Sequence, residues 1–401
     1  MWREDLSFET PAAGGAGHPV NRRTLLLGAA GALTAAALPW PALAAGPRFD
    51  PRLARKLQQA MHDYLRDPSI QTPGAVLHVH SPKLGSWTGV AGLGRVAPAE
   101  LMRRDDRFRA GSIAKPFVAV AVLQLVEEGR LSLDARLPDT LPASVVGRFP
   151  DAADITVRML LGHRSGIPEW DQPALDEQIA RHPSKVWKVS EFLDRAAAQP
   201  PVFAPGTGFF YSNTDYNLLG LIIERLSGRS WRHEVTRRVI RPLRLSDTYL
   251  PSPGHGSIGG AHAHGYHEVD GKRVDLTRVD PSIAGAAGGG ALVTTVGDLG
   301  RFVDALLKGR LFRHRATLKQ MLAFAPAQDT GGVVGYGLGV EQRVLPGGIE
   351  LIGHLGTTAG YRAYVGRLRP QNVTVAFALN WEDDPTPLVV PAMNTVAASG
   401  A

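Results

Sequence analysis

Cysteine is absent from all 401 residues. That excludes disulfide bridges, thiolate metal sites, a cysteine nucleophile and a lipid-bearing cysteine near the N-terminus. Lysine is scarce: of 44 lysines and arginines, only eight are lysine. The net charge of +7 is therefore an arginine charge, scattered as singles and pairs such as Arg103-Arg104 and Arg237-Arg238. No basic run exceeds two residues and no aromatics interleave them, which argues against a nucleic-acid partner. Long apolar runs are also missing. The longest, ending at Leu38, covers about 14 residues, short of the ~20 that span hydrocarbon, so no stable membrane span is expected. There is no Gly-x-Ser-x-Gly, which removes the nucleophile-elbow hydrolases. Glycine-rich Gly285 to Gly290 lacks the Lys-Ser/Thr that would make it a phosphate loop.

What is present suits a globular chain with a sizeable core, with 44% hydrophobic and 20% charged residues. Residues 1–44 stand apart. Arg22-Arg23 precede the apolar run, Pro39 and Pro41 end it, and Ala42-Leu43-Ala44 has the small-x-small pattern of a cleavage site. This segment is expected to be an export signal resembling the twin-arginine type, with an ordinary secretory signal as the alternative, making the protein periplasmic or secreted, with 45–401 as the catalytic domain.

Within 45–401, Arg52 to Leu65 has apolar residues at helical spacing. Gly74 to His80 and Ser86 to Gly92 are β-prone runs broken by Pro82 and Gly85, which predicts a hairpin. Phe117 to Val126 is apolar on every helical face, so that helix should be buried all round. Helical patterns follow at Val157 to Leu161, Val189 to Ala198, Tyr216 to Leu226 and Trp231 to Ile240. Thr295 with Asp298 reads as a cap opening a helix to Leu307. Strands return at Gly335 to Gln342, Ile349 to Gly353, Tyr361 to Leu368 and Val373 to Leu379, before a last helix from Leu388 to Ala398. The expected fold class is α+β: an antiparallel sheet formed from both chain ends, flanked by helices, with a mostly helical region inserted at about 135–280.

Ser112-Ile113-Ala114-Lys115 immediately precedes the buried helix. The three-residue spacing puts hydroxyl and amine one turn apart on one face. A serine hydroxyl needs a base, and lysine serves only when neutral. An ordinary lysine at pH 7 would have to lose about 3.4 pKa units, or about 4.6 kcal/mol, of preference for its charge. The motif alone is weak, because chance gives about 0.4 such pairs from 18 serines and eight lysines. Two later segments add context. Tyr211-Ser212-Asn213 follows the turn-rich Pro205-Gly206-Thr207-Gly208 and precedes a helix. His354-Leu355-Gly356-Thr357 ends a β-rich run whose glycines allow close approach of a substrate backbone. The cluster His262, His264 and His267 lacks an evident fourth ligand beyond Glu268, so ordinary loop histidines are preferred to a zinc site. His163 and Ser165, two apart in a loop, read as structural.

The three segments, in this order, resemble the active-site motifs of the penicillin-recognising serine hydrolases: Ser-x-x-Lys, Tyr-x-Asn and Lys/His-x-Gly. That group holds class C β-lactamases, serine DD-carboxypeptidases and related esterases and D-aminopeptidases. The likeness extends to Phe108 to Gly111, Ile155 to Leu161, His163 to Gly166, Tyr216 to Gly220, Ala287 to Gly290, Tyr336 to Gly339 and Gly360-Tyr361. The resemblance implies Ser112 as acyl-forming nucleophile, Lys115 as its base, Tyr211 as a second proton-transfer group and Asn213 as an orienting amide. It implies an oxyanion hole from the N–H groups of Ser112 and Thr357, and neither cofactor nor metal. His354 stands where class C β-lactamases more usually have lysine, which is nearer the DD-carboxypeptidase side. Gly356, Thr358, Glu341 and Arg362 are the substrate-binding candidates. Glu341 departs from the pattern, since those carboxypeptidases hold the peptide's terminal carboxylate with an arginine there. A glutamate repels that group and favours an ester, an amide or an amine-bearing substrate, with Arg343 or Arg362 as substitutes for the missing cation. The expected activity is that of an exported serine hydrolase acting on D-Ala-D-Ala-type peptides or related amides, with a small-molecule or peptide partner. The alternatives are a β-lactamase, an esterase of the same fold, and a non-catalytic binder of cell-wall peptides.

Overall fold

A computed structural model describes residues 47–399, apart from 171, 284, 286–291 and 328–331. Residues 1–44, expected as an export signal, and the Ala287 to Gly290 motif lie outside the described residues. Nine strands form one sheet: β1 (Gly74–Ser81), β2 (Gly85–Arg95), β3 (Glu100–Leu101), β4 (Ala325–Pro326), β5 (Val333–Tyr336), β6 (Glu341–Leu345), β7 (Ile349–Thr358), β8 (Tyr361–Arg369) and β9 (Val373–Leu379). Their order is β3-β2-β1-β9-β8-β7-β6-β5-β4, and every neighbouring pair is antiparallel. The two chain ends meet in mid-sheet, where Ala75 of β1 lies opposite Leu379 of β9. The α+β class and the sheet drawn from both ends are as the sequence implies.

Both faces of the sheet are covered. One packs on α1 (Pro51–Arg66) and α5 (Thr386–Ala397), through Leu57, Met61, Leu388 and Met393 against Leu77, Val375 and Phe377. The other packs on α2 (Ala114–Glu127) and α4 (Val296–Leu307) through Phe117 and Phe302, whose rings stack at 3.7 Å, against Val365 and Ala376. Cover on both faces explains why β9 is buried at every position rather than alternating. It explains α2 as well, buried from Ala114 through Leu123, because the sheet lies on one side and the inserted helices on the other. Thr295 accepts the Asp298 N–H at 3.3 Å and starts α4 as its spacing predicts.

Several boundaries differ. The run Gly335 to Gln342 is not one strand. A turn closed by the Gly337 N–H on the Val340 carbonyl separates β5 from β6. β7 continues five residues beyond Gly353, held by β8 as far as Thr358 opposite Tyr361. The segment from Trp231 is α-helical only to Val235 and then widens to a π-turn through Ile240. Between 135 and 280 the structure has helices, including Gln172–Arg181, but also a two-stranded ribbon, Tyr266–Val269 with Lys272–Asp275. Among the described residues no helix is long and apolar enough to cross a membrane.

Candidate active site

Ser112 sits in a single 3-10 turn, Gly111–Ile113, directly before α2. Gly111 has φ +54°, and a Cβ there would stand 2.6 Å from the Thr357 carbonyl oxygen. A Cβ on Gly356 would come 2.0 Å from the Ala110 carbonyl oxygen. Two glycines, one in the turn and one in β7, thus bring Ser112 onto the strand beside Thr357. This is the placement in which two backbone N–H groups can share one oxyanion.

Lys115 lies one turn along α2. Its Nζ donates to Ser112 Oγ at 2.9 Å and to Asn213 Oδ1 at 2.6 Å. The side chain is fully buried, and it is the sole charge between Ala114 and Val126. Burial pushes its pKa from 10.5 down to about 7, against the opposing pull of Glu169, Glu341 and Asp215. The amine is therefore neutral in a large fraction of molecules near pH 7. The Tyr211 hydroxyl hydrogen-bonds to Ser112, and the Lys115 nitrogen stands 4.7 Å from the centre of its ring. Burial, with Glu341 adding to it, pushes the phenol well above its ordinary range. Tyr211 therefore keeps its proton at neutral pH and is available as a proton donor.

Asn213 opens α3 (Asn213–Ser227), one turn before the residue where the apolar pattern begins. Its N–H donates to Glu169 Oε2 at 2.6 Å, and the Trp170 N–H donates to Oε1 at 3.0 Å. Glu169 is the site residue that sequence reasoning missed. Its only signal was a lone carboxylate between Pro168 and Trp170, three residues past the His163 to Gly166 motif. The positive end of α3 favours its charge, but burial wins and pushes the carboxyl up to about 7.

On β7, strand alternation puts His354, Gly356 and Thr358 on the Ser112 face. The Thr358 hydroxyl is buried without a hydrogen-bond partner among the described residues. His354 Nδ1 lies 2.5 Å from the Leu355 carbonyl and Nε2 lies 3.0 Å from the Tyr336 hydroxyl. A carbonyl only accepts, so the proton is on Nδ1, and Nε2 accepts from Tyr336. Burial holds this ring neutral, at about 4. With both nitrogens engaged inside the protein, His354 is placed to shape the site rather than to carry a proton.

Glu341 and Arg362, the charged substrate-binding candidates, are both engaged by partners inside the protein. The same alternation turns Glu341, Arg343, Leu355 and Arg362 to the α1/α5 face. Glu341 is 4% exposed; its Oε2 takes Arg343 Nε at 2.7 Å and the Leu355 N–H at 3.1 Å. Burial would raise this carboxyl, but Arg343, His354 and the Leu355 N–H hold it below its ordinary value. Arg362 Nε bonds Thr357 Oγ1 at 3.3 Å and its Nη1 bonds the Asp383 carbonyl at 3.0 Å. The charge reversal at Glu341 is thus part of an internal ion pair with Arg343. Elsewhere, Ser165 and His163 converge on buried Asp215 of α3, at 2.5 and 3.2 Å, and lock the loop that ends in Glu169. His264 turns to Asp275 at 2.7 Å and His267 to Glu382 at 3.5 Å, so the histidine cluster is divided between separate carboxylates.

Comparison with known proteins adds a family. The profile described as Beta-lactamase matches residues 53–398. Esterase EstB of Burkholderia gladioli is 28% identical over 386 residues, 86% of this chain and 95% of its own length. Penicillin-binding protein 4* of Bacillus subtilis (strain 168) is 26% identical over 304 residues, 71% of this chain; the match spans only 62% of that longer protein. Among solved structures, a D-stereospecific amidohydrolase from Streptomyces sp. superposes with a TM-score of 0.75 at 33% identity, covering 84% of this chain and 97% of that one.

Proposed function

The chain belongs to the Beta-lactamase family and is a serine hydrolase of that fold; from this premise we propose that it cleaves amides, and esters, of D-amino acids bearing a free amino group, through an acyl-enzyme on Ser112. The observation that carries the reading is the 2.9 Å contact between Ser112 Oγ and a buried lysine whose pKa is about 7. Neutral Lys115 takes the Ser112 proton as Oγ bonds to the substrate carbonyl carbon. The N–H groups of Ser112 and Thr357 receive the oxyanion, a donor there being worth about 3–4 kcal/mol. Tyr211 hands a proton to the departing amine or alcohol. The tyrosinate then draws one from the water that cleaves the ester, and Lys115 returns its proton to the departing Ser112 Oγ, restoring both groups.

Substrate class follows from charge. Glu169, half-buried beside Asn213 and Lys115, is an acidic partner for a substrate ammonium, whereas the Glu341 carboxylate is already paired with Arg343. D-configuration is carried over from the Streptomyces amidohydrolase. Likeness to penicillin-binding protein 4* favours a second reading, release of D-alanine from D-Ala-D-Ala peptides. Residues 1–44 would deliver the enzyme outside the cytoplasm, with mature protein beginning near Ala45.

The test is labelling and turnover together. A fluorophosphonate should label wild type and not Ser112→Ala; equal labelling removes Ser112 from the chemistry. D-phenylalanine amide should be cleaved at least tenfold faster than its N-acetyl derivative, whereas equal rates would refute ammonium recognition. Faster turnover of a D-Ala-D-Ala peptide than of the amide would favour the second reading.

A further inference from the structure

Among the described residues, His163 is one of four other than glycine with a left-handed backbone, at φ +56°. Histidine enters this region more readily than most side chains, and such positions gather at functional sites. The residue is fully buried. Its carbonyl accepts the Phe210 N–H at 3.0 Å, and its Nδ1 accepts the Ser212 N–H at 3.2 Å. One residue thus holds the backbone on either side of Tyr211.

The His163 ring is packed on the phenol as well. The ring centres of His163 and Tyr211 are 4.3 Å apart, with those of Tyr336 and Tyr216 at 4.8 and 5.2 Å. An amide N–H only donates, so Nδ1 is the bare nitrogen and the ring hydrogen is on Nε2. Nε2 has no hydrogen-bond partner among the described residues. Burial beside Lys115 and His354 keeps the ring neutral, so it brings no further charge to the site. Asp215 Oδ2 stands 3.2 Å from Nδ1 and fixes the ring from behind. Burial pushes that carboxyl well above its ordinary range, toward the protonated form that can donate to Nδ1.

We propose that His163 is the positioning residue for Tyr211, a part that rests on the donor role given to that phenol above: it fixes the hydroxyl where its proton reaches the group leaving the substrate, and takes no proton itself. Neither contact depends on the acyl group that Ser112 carries.

The test compares ethyl butyrate with p-nitrophenyl butyrate, which give the same acyl-enzyme and differ only in what departs. Ethoxide needs a proton to leave, and p-nitrophenolate does not. The reading is kcat/KM per Ser112 titrated with fluorophosphonate, which counts assembled sites and reports the acylation half of the reaction. His163→Asn suits the left-handed backbone and removes the ring. It should lower kcat/KM for the ethyl ester at least about tenfold, and for the p-nitrophenyl ester by roughly threefold at most. His163→Phe keeps a ring, removes the acceptor, and serves should the first variant fold poorly; it should show the same bias. In a Tyr211→Phe background neither change should slow the ethyl ester further. Equal losses on the two esters, or losses that multiply in the Tyr211→Phe background, would overturn the inference. A Tyr211→Phe enzyme without leaving-group bias would instead refute the donor role itself, and the inference with it.

Discussion

Replacing Glu169 with glutamine should make Lys115 a better base at low pH. The carboxylate is joined to the amine through Asn213, whose N–H holds Glu169 at 2.6 Å and whose side-chain oxygen holds Lys115 Nζ at 2.6 Å. Its negative charge favours the charged amine, the first-named of the three pulls that oppose burial. Two unit charges about 6 Å apart at an effective dielectric constant of about 20 interact by roughly 2.8 kcal/mol. Because Glu169 itself titrates near 7, about half of that acts at neutral pH. One pKa unit is about 1.4 kcal/mol, so the lysine should titrate roughly one unit lower in the variant. The assay is kcat/KM for a p-nitrophenyl ester between pH 5 and pH 9, which reports groups of the free enzyme. Wild type should lose activity as pH falls through about 7, and Glu169→Gln should lose it at lower pH. Lys115→Arg, charged throughout, should fall by about 10²–10⁴ across the range. An acid limb that stays put or moves upward in Glu169→Gln, or an active Lys115→Arg enzyme, would refute lysine as the base.

The same lysine is a burden on the fold. A buried amine moved from 10.5 to about 7 destabilises the native state by roughly 5 kcal/mol at most. Lys115→Met should therefore be inactive yet more stable in urea at pH 7. The gain should shrink as pH rises toward 10.5, where the unfolded lysine also becomes neutral; a less stable variant at pH 7 would contradict this. Arg343→Ala leaves the Glu341 carboxylate buried and without its ion-pair partner, the two side chains being 5% and 8% exposed. It should cost about 3–5 kcal/mol at pH 7, and less near pH 4, because the variant's carboxyl, freed of the guanidinium that holds it low, is easier to protonate. An equal loss at both values would locate the damage in packing instead of charge.

Much of the site was legible because it depends on chemistry that tolerates few substitutes. A serine, a lysine one turn on, and a helical stretch with no other charge as far as Val126 can be read from the letters alone, and so can the motif order. Sheet composition was legible from Val373 to Leu379, since cover on both faces demands a continuous apolar run. Three things were not. Glu169 matters because folding brings it to the start of α3, and nothing local to Pro168-Glu169-Trp170 announces that pairing. The internal partners of Glu341 and Arg362 could not be read, because the side a strand residue faces depends on register. A one-residue change of parity moves a side chain through the sheet. The engagement of His354 by Tyr336 joins two strands whose partner, β6, had been merged with β5 in the sequence reading.

Where the chain ends meet has a consequence for biosynthesis. β1 finds β9 only after nearly 300 intervening residues have been made, with Ala75 lying against Leu379. The ribosome must therefore extend the chain through β9 before the middle of the sheet can close, and closure over so long a loop is slow. Until then β1 and β8 present bare hydrogen-bonding edges to any neighbouring nascent chain. A product truncated before Val373 would keep those edges permanently, so premature termination late in the message should yield aggregates in place of a smaller working enzyme.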